Sequence, residues 1–276
     1  MIPLNEILKM RTALVVAKDN QLIQNFGFDL SVYEQRILLL CIAKMDSRSE
    51  INNRTFTLHV SDLHNDWGLN INSNSIYQLM DEAVTRLFQR FIYPDPNNRK
   101  VQLRWLTMKD YRSGPGEITI SFAPEVMIYL SALKSRFTTY KLKYVTQFTC
   151  SYSFRFYEIF SCWNGKGKQE LKLEVAQLKQ MLDLGDKYSD IHDFKKKVIF
   201  PALKEINDFT DISVTFDQCK RGKVITHFVF YFALKNPEKK PKKITKAYIE
   251  KHARPGESYP QAHARLSKNI GKNHEQ

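Results

Sequence analysis

Cysteine is scarce: the 276-residue chain has four, Cys41, Cys150, Cys162 and Cys219. No two form a C-x-x-C pair, so neither a disulfide-held module nor a zinc ribbon has its framework, and reduced, mostly buried thiols are expected. Glycine and proline number ten each, too few for a fibrous or low-complexity chain. No apolar run approaches the roughly 18 to 20 residues of a membrane-spanning helix. The opening MIPLNEILKMRT carries an acidic residue and no long apolar stretch, so no secretory leader is expected and the cytoplasm is the expected location. Acidic residues are the minority, 29 against 42 Lys plus Arg, for a formal charge of +13. That surplus points to a polyanionic partner, nucleic acid first and an anionic membrane surface second.

What is present suits a folded protein: 43% hydrophobic residues, 26% charged, 18 Phe and 13 Tyr, on a chain long enough for two domains. The charge is uneven. Residues 1–137 hold 16 basic and 14 acidic side chains, residues 138–235 hold 16 and 11, and residues 236–276 hold 10 and 4. Affinity for a polyanion is therefore expected in the second half and the tail. The tail has little apolar periodicity beyond Ile244, Tyr248 and Ile249. It reads as a basic, mostly disordered segment that adds non-specific affinity.

The first two regions repeat one order of elements. Ser31 and Glu34 form a capping box ahead of an apolar helix from Val32 to about Met45. Arg54 to Val60 alternates as a strand, and Ser61 can cap a short helix through Trp67. Ser75 and Gln78 make a second capping box; behind it Ile76, Met80, Ala83, Leu87 and Phe91 keep helical spacing until Pro94 and Pro96. Strand-like runs Val101 to Leu106 and Glu117 to Phe122 flank a turn at Ser113–Gly116. In the second region a helix from Tyr152 to Trp163, a strand Glu170 to Leu173 and a helix Val175 to Leu182 precede a long helix from Ile191 to Phe209. Strands Ile212 to Phe216 and Val224 to Phe232 flank the basic turn Lys220–Lys223. Helix, strand, helix, helix, strand, strand is the order of a winged helix. The expected fold is α+β: two tandem winged-helix domains, 1–137 and 138–235, and the tail 236–276.

Several chemistries lack their residues. No G-x-x-x-x-G-K-[ST] occurs, which disfavours nucleotide hydrolysis. None of the seven histidines forms the pair around one apolar residue that a nicking nuclease uses to hold its metal. His59 and His64 straddle a strand and a helix and make a poor zinc pair. No cofactor, metal or catalytic residue is expected. Tyr157, Phe160 and Trp163 lie at helical spacing in an apolar segment, which favours core over base stacking.

Three segments also resemble a family. VVAKDNQLIQNFGFDLSVYEQRILLLCIAKMD, YSFRFYEIF, and DFKKKVIFPALKEINDFTD with its basic-turn hairpin are similar to plasmid replication initiator (Rep) proteins of the iteron-binding, theta-replicating class, over about residues 10–235. The resemblance implies two winged-helix domains that bind repeated origin sites (iterons) in duplex DNA, promote origin opening and assist loading of the host replicative helicase. It also implies a dimer that represses its own gene and a monomer that initiates. Composition and motifs alone leave open a transcriptional regulator of the same build, or a protein that uses the basic tail on anionic lipid.

The 191–209 helix, laid out at 100° per residue, places Asp193, Lys196, Lys197, Phe200, Lys204 and Asn207 opposite its apolar face. Lys196, Lys197, Phe200, Lys204 and Asn207 are the expected DNA contacts there; Asp193 would repel phosphate. A solvated charge run is the alternative. Lys220, Arg221 and Lys223 are expected to reach phosphates from the wing, or else to guard a sheet edge. In the first half Ser73, Asn74, Ser75, Tyr77 and Gln78 start the corresponding helix with amides and hydroxyls suited to DNA, although Asp81 and Glu82 follow. Capping and turn formation would account for Ser73 to Ser75 equally well.

Overall fold

The computed structural model describes residues 14–45, 53–67, 74–95, 99–112, 116–131, 133, 135–164, 169–235, 246–254 and 257–271. In the first half β1 (Val15–Asp19) and α1 (Asn20–Gln24) precede α2 (Val32–Lys44), β2 (Thr55–His59), α3 (Val60–Trp67) and α4 (Asn74–Gln89). Then come β3 (Phe91–Ile92), β4 (Leu103–Arg104), β5 (Leu106–Arg112), β6 (Glu117–Phe122), α5 (Pro124–Met127) and β7 (Phe137–Lys141). The second half runs α6 (Ser151–Asn164), β8 (Glu170–Glu174), α7 (Val175–Met181), α8 (Ile191–Phe194), a π-helical turn (Lys195–Ile199), α9 (Phe200–Phe209), β9 (Ile212–Arg221) and β10 (Val224–Leu234).

The repeat read from the sequence is a repeat of topology. One three-stranded sheet has the order β2-β6-β5 and the other β8-β10-β9. In each, the strand that follows the long apolar helix (β2 or β8) pairs antiparallel with one arm of the wing hairpin (β6 or β10). Each half is thus a helix-turn-helix closed by a winged sheet. That long apolar helix is buried on nearly every side: Glu34 through Ile42 in α2, and Ser153 through Phe160 in α6. Tyr157 and Phe160 are therefore core residues.

One apolar core runs through both halves; the indole N–H groups of Trp67 and Trp105 are buried in it without a partner, while several charged groups buried within it are paired, as burial demands. Ser31 caps α2 in the expected box, and the Glu34 carboxylate accepts from Arg90 Nε at 2.9 Å. Between the halves, Lys18 Nζ of β1 donates to Glu158 Oε1 of α6 at 2.5 Å, and Tyr140 Oη of β7 donates to the same oxygen at 2.7 Å. Burial, then that carboxylate, holds the Tyr140 hydroxyl well above its usual range. Arg155 lies beside Glu158 and donates to the carbonyls of Ile23 and Phe26, its guanidinium 4.0 Å from the centre of the Phe28 ring.

The structure differs from the sequence reading at five places. Helix α4 ends at Gln89, because Phe91–Ile92 pairs with Leu103–Arg104 as a short ribbon; the first wing's outer strand is consequently Leu106–Arg112, not Val101 to Leu106. Helix α3 begins at Val60, and Asp62 rather than Ser61 accepts a backbone amide there, from His59 at 3.1 Å. Ser75 lies inside the helix, which starts at Asn74 and so one residue ahead of the expected cap, and Gln78 Nε2 reaches forward to Glu82 at 3.5 Å. The long helix is α8, a π turn and α9 in series. The tail carries α10 (Lys246–His252) and α11 (Tyr259–Gly271), which bury Ile249, Ala262 and Leu266 against each other. Order there rests on side-chain bonds as well as apolar periodicity: Arg265 donates to both Glu257 carboxylate oxygens and to the His252 carbonyl.

Candidate nucleic-acid interface

The second half brings a cationic helix and a cationic wing onto one small domain. The π turn is closed by Phe200 N–H donating to the Lys195 carbonyl, an i to i−5 bond that widens the helix by one residue. Pro201 follows at the start of α9, where a missing N–H is tolerated. Val198 and Ile199 are buried, while Lys196, Lys197, Phe200 and Lys204 stay exposed. Lys197 pairs with Asp193 at 2.8 Å and Lys204 with Asp208 at 2.5 Å, both one helical turn apart. These exposed pairs draw the Asp193 carboxyl below its usual range and raise both lysines, but such pairs are worth little in water and exchange readily for phosphate.

Asn207 departs from expectation. Its Nδ2 donates to the Val214 carbonyl at 2.9 Å and its Oδ1 accepts from Val214 N–H at 2.8 Å. Both ends of the amide are occupied in stitching α9 to β9, so Asn207 is a structural residue rather than a base reader.

The second wing is built by register. Arg221 pairs with Val224, leaving Gly222–Lys223 as a two-residue turn. Gly222 has φ +62° and Lys223 is not in the left-handed region, so glycine occupies the first central position, the one that a type II′ hairpin reserves for it. Lys220, Arg221 and Lys223 are all exposed around that turn. An open cleft of about 600 Å³ lined by Val175, Lys179, Arg221, Ile225 and His227 separates the wing base from α7.

The first half offers less. Ser73 lies outside the described residues, as do the side chains of Asn74 and Ser75. Tyr77 is half-buried; a Cβ added at Gly116, which has φ +64°, would meet its ring at 2.9 Å. Tyr77 thus packs on the base of the first wing, and Gln78 remains as an exposed amide. The described end of that wing pairs Arg112 with Asp110 at 3.1 Å.

Sequence reasoning missed Glu205, which ties the 191–209 helix to the start of α6. Its carboxylate accepts from Thr149 N–H (2.9 Å), Thr149 Oγ1 (2.6 Å), Cys150 N–H (3.1 Å) and Ser153 Oγ (2.5 Å). An anion thereby sits at the N-terminal end of α6, where the helix leaves its amides unpaired. Its partners lie on a distant helix, so no local pattern marks it. Lys195, the first of three consecutive lysines, donates to Gln218 of β9 at 3.1 Å and pins the π turn to the sheet.

Comparison with known proteins agrees with this architecture. Residues 15–161 match the family described as Initiator Replication protein, WH1, and residues 174–232 that described as Initiator Rep protein, WH2. A replication initiation protein of Escherichia coli is 26% identical over 228 residues, 80% of this chain and 70% of the relative. An uncharacterized 27.6 kDa protein of the same organism is 22% identical, over 79% of this chain and 95% of that one. The crystal structure of the Pi initiator protein in complex with iteron DNA shares the fold, with a TM-score of 0.66 at 20% identity over 81% of this chain and 98% of that one. With both of its winged-helix domains matched in order, the chain belongs to the initiator replication protein family.

Proposed function

We propose that this protein initiates plasmid replication by binding repeated origin sites in duplex DNA. In this reading residues 1–137 and 138–235 are the two winged-helix domains and 236–276 is a basic appendage. The 191–209 helix lies in the major groove with Lys196, Lys197, Phe200 and Lys204 toward the bases, while Lys220, Arg221 and Lys223 hold phosphates. The first domain adds a lesser contact through Asn74, Ser75 and Gln78. The observation that carries the reading is the presence of an exposed lysine-bearing helix and an exposed basic two-residue wing in one domain of the initiator family. The protein acts by binding, without nucleotide, metal or covalent chemistry. Origin opening, loading of the host helicase, and repression of its own gene by a dimer are the later steps that such binding would serve.

Selection of bound sequences from random duplex DNA, followed by footprinting on the parent plasmid, tests this. Tandem direct repeats beside an A/T-rich stretch are expected; a lone promoter operator would instead favour a transcriptional regulator. Lys196→Ala with Lys197→Ala should weaken specific binding by about 1–3 kcal/mol. A folded double variant with unchanged affinity and base preference would remove the helix from the interface.

A further inference from the structure

Phe200 is 52% exposed at the middle of the 191–209 helix, although its two predecessors, Val198 and Ile199, are buried. A lone exposed ring means nothing by itself, but three features single this one out. It is bracketed along the helix by exposed Lys196 and Lys197 before it and exposed Lys204 after it. It is set by a local departure from α-geometry, since its own N–H closes the π turn and Pro201 follows. And it is braced: its ring lies 5.8 Å from Phe216, which lies 5.8 Å from Phe228 and stacks on Phe230 at 6.1 Å. Phe228 and Phe230 are fully buried, so this outward ring is backed by the core.

We propose that Phe200 determines specificity by packing on the C5 methyl of one thymine in the bound site. The proposal rests on the reading that this helix lies in the major groove. Phenyl has no hydrogen-bonding group, so it cannot read the donors and acceptors of guanine, cytosine or adenine. Among the four bases only thymine presents an apolar group in that groove. The neighbouring lysines suit guanine edges or phosphates, so the helix would read an apolar point set among polar ones. Because the ring is already held, ordering it on binding costs little side-chain entropy.

The probe is the preferred duplex recovered by selection from random DNA, remade with each thymine in turn replaced by uracil, which keeps O4 and removes only the methyl. Uracil at one position should weaken binding about fourfold, the worth of one buried methylene, and uracil elsewhere should have no effect. Phe200→Ala should bind the all-thymine duplex more weakly and lose the distinction at that position, while Phe200→Leu keeps part of it. The wild-type scan does not depend on any variant folding. A scan that is flat at every position, or a distinction that persists in a folded Phe200→Ala protein, overturns the proposal while leaving duplex recognition intact. A selection that returns no preferred duplex overturns both.

Discussion

The two winged-helix halves share a topology and differ in what they leave on the outside. Both place the strand that follows the long apolar helix (β2 or β8) beside one arm of the wing hairpin (β6 or β10), and both bury that helix, α2 or α6, almost completely. Yet the outer face of α4 carries Asp81 and Glu82, and its Arg86 lies 3.9 Å from Glu82. The corresponding face of the second half carries Lys196, Lys197, Phe200 and Lys204. Apolar spacing and caps specify the fold, and any residue compatible with helix or strand can occupy the positions left over. Function is written at those positions, so that in the proposed reading one architecture serves as reader in one half and as support in the other.

The sharpest way to break the comparison is at the core the halves share. Glu158 is 2% exposed and faces Lys18 and Arg155, themselves nearly buried. Glu158→Ala leaves the Lys18 ammonium and the Tyr140 hydroxyl without their acceptor and Arg155 without its counter-charge, all of them buried. The expected loss is about 3–5 kcal/mol, the usual cost of removing one partner of a buried pair. Urea titration followed by tryptophan fluorescence should show one transition moved to lower denaturant, since Trp67 and Trp105 of the first half lie in the same core as α6. Two separate transitions would mean that the halves are independent folding units.

Local signals made the shared topology readable and hid much of what differs. The Ser31–Glu34 box, the apolar spacing of α4 and α6, and the Lys220–Lys223 turn each lie within a few residues, so the repeated order could be read directly. Strand β1 could not, because its partner β7 lies at the far end of the same half. The bond from Asn207 to β9 was invisible for a related reason: a wheel of evenly spaced residues placed it outward, with nothing to show that a strand would come to meet it. Of the candidate DNA-facing residues, the exposed lysines were legible because a charge on the polar side of a helix stays outside wherever the helix packs. Glu205 was not, since its role exists only once α9 lies against α6.

The wings offer a second test, smaller in free energy and specific in its salt dependence. Replacing Lys220, Arg221 and Lys223 by Ala should weaken binding to every duplex alike and flatten the log–log salt dependence by roughly one unit for each phosphate that is no longer neutralised. Arg112→Ala in the first wing should change that slope less, because it removes one cation rather than three, from a wing end that also carries Asp110. Equal slopes for wild type and the triple variant would put the second wing in solvent, and a larger effect from Arg112 would reverse the assignment of reader and support.

The smallest expected effect concerns the tail, where neither half's logic applies and where, among the described residues, three buried side chains with Tyr248 packed against them make up the apolar cluster. So small a core calls for help from polar bonds. Arg265 Nε and Nη2 each reach a Glu257 oxygen at 2.7 Å, and Arg254 N–H donates to the same carboxylate at 2.9 Å. Arg265 first, and then the Arg254 amide, holds Glu257 down to about 2, from an ordinary 4.5. A carboxylate with a depressed folded-state pKa favours the folded form above its unfolded value and loses that contribution as it is protonated. The helical hairpin should therefore loosen as pH falls from about 4.5 toward 2. The pair is half-buried at the edge of a very small unit, so the effect is modest and further reduced by salt. NMR of the full chain can follow the Ile249 and Leu266 methyl signals through that range, with Glu257→Gln at neutral pH as the control for the acid form. The variant should shift those methyls toward their acid positions while the signals of residues 14–235 stay where they are. If Glu257→Gln leaves the tail methyls unmoved, the apolar contact alone holds the hairpin and the Arg265 bonds are incidental to it.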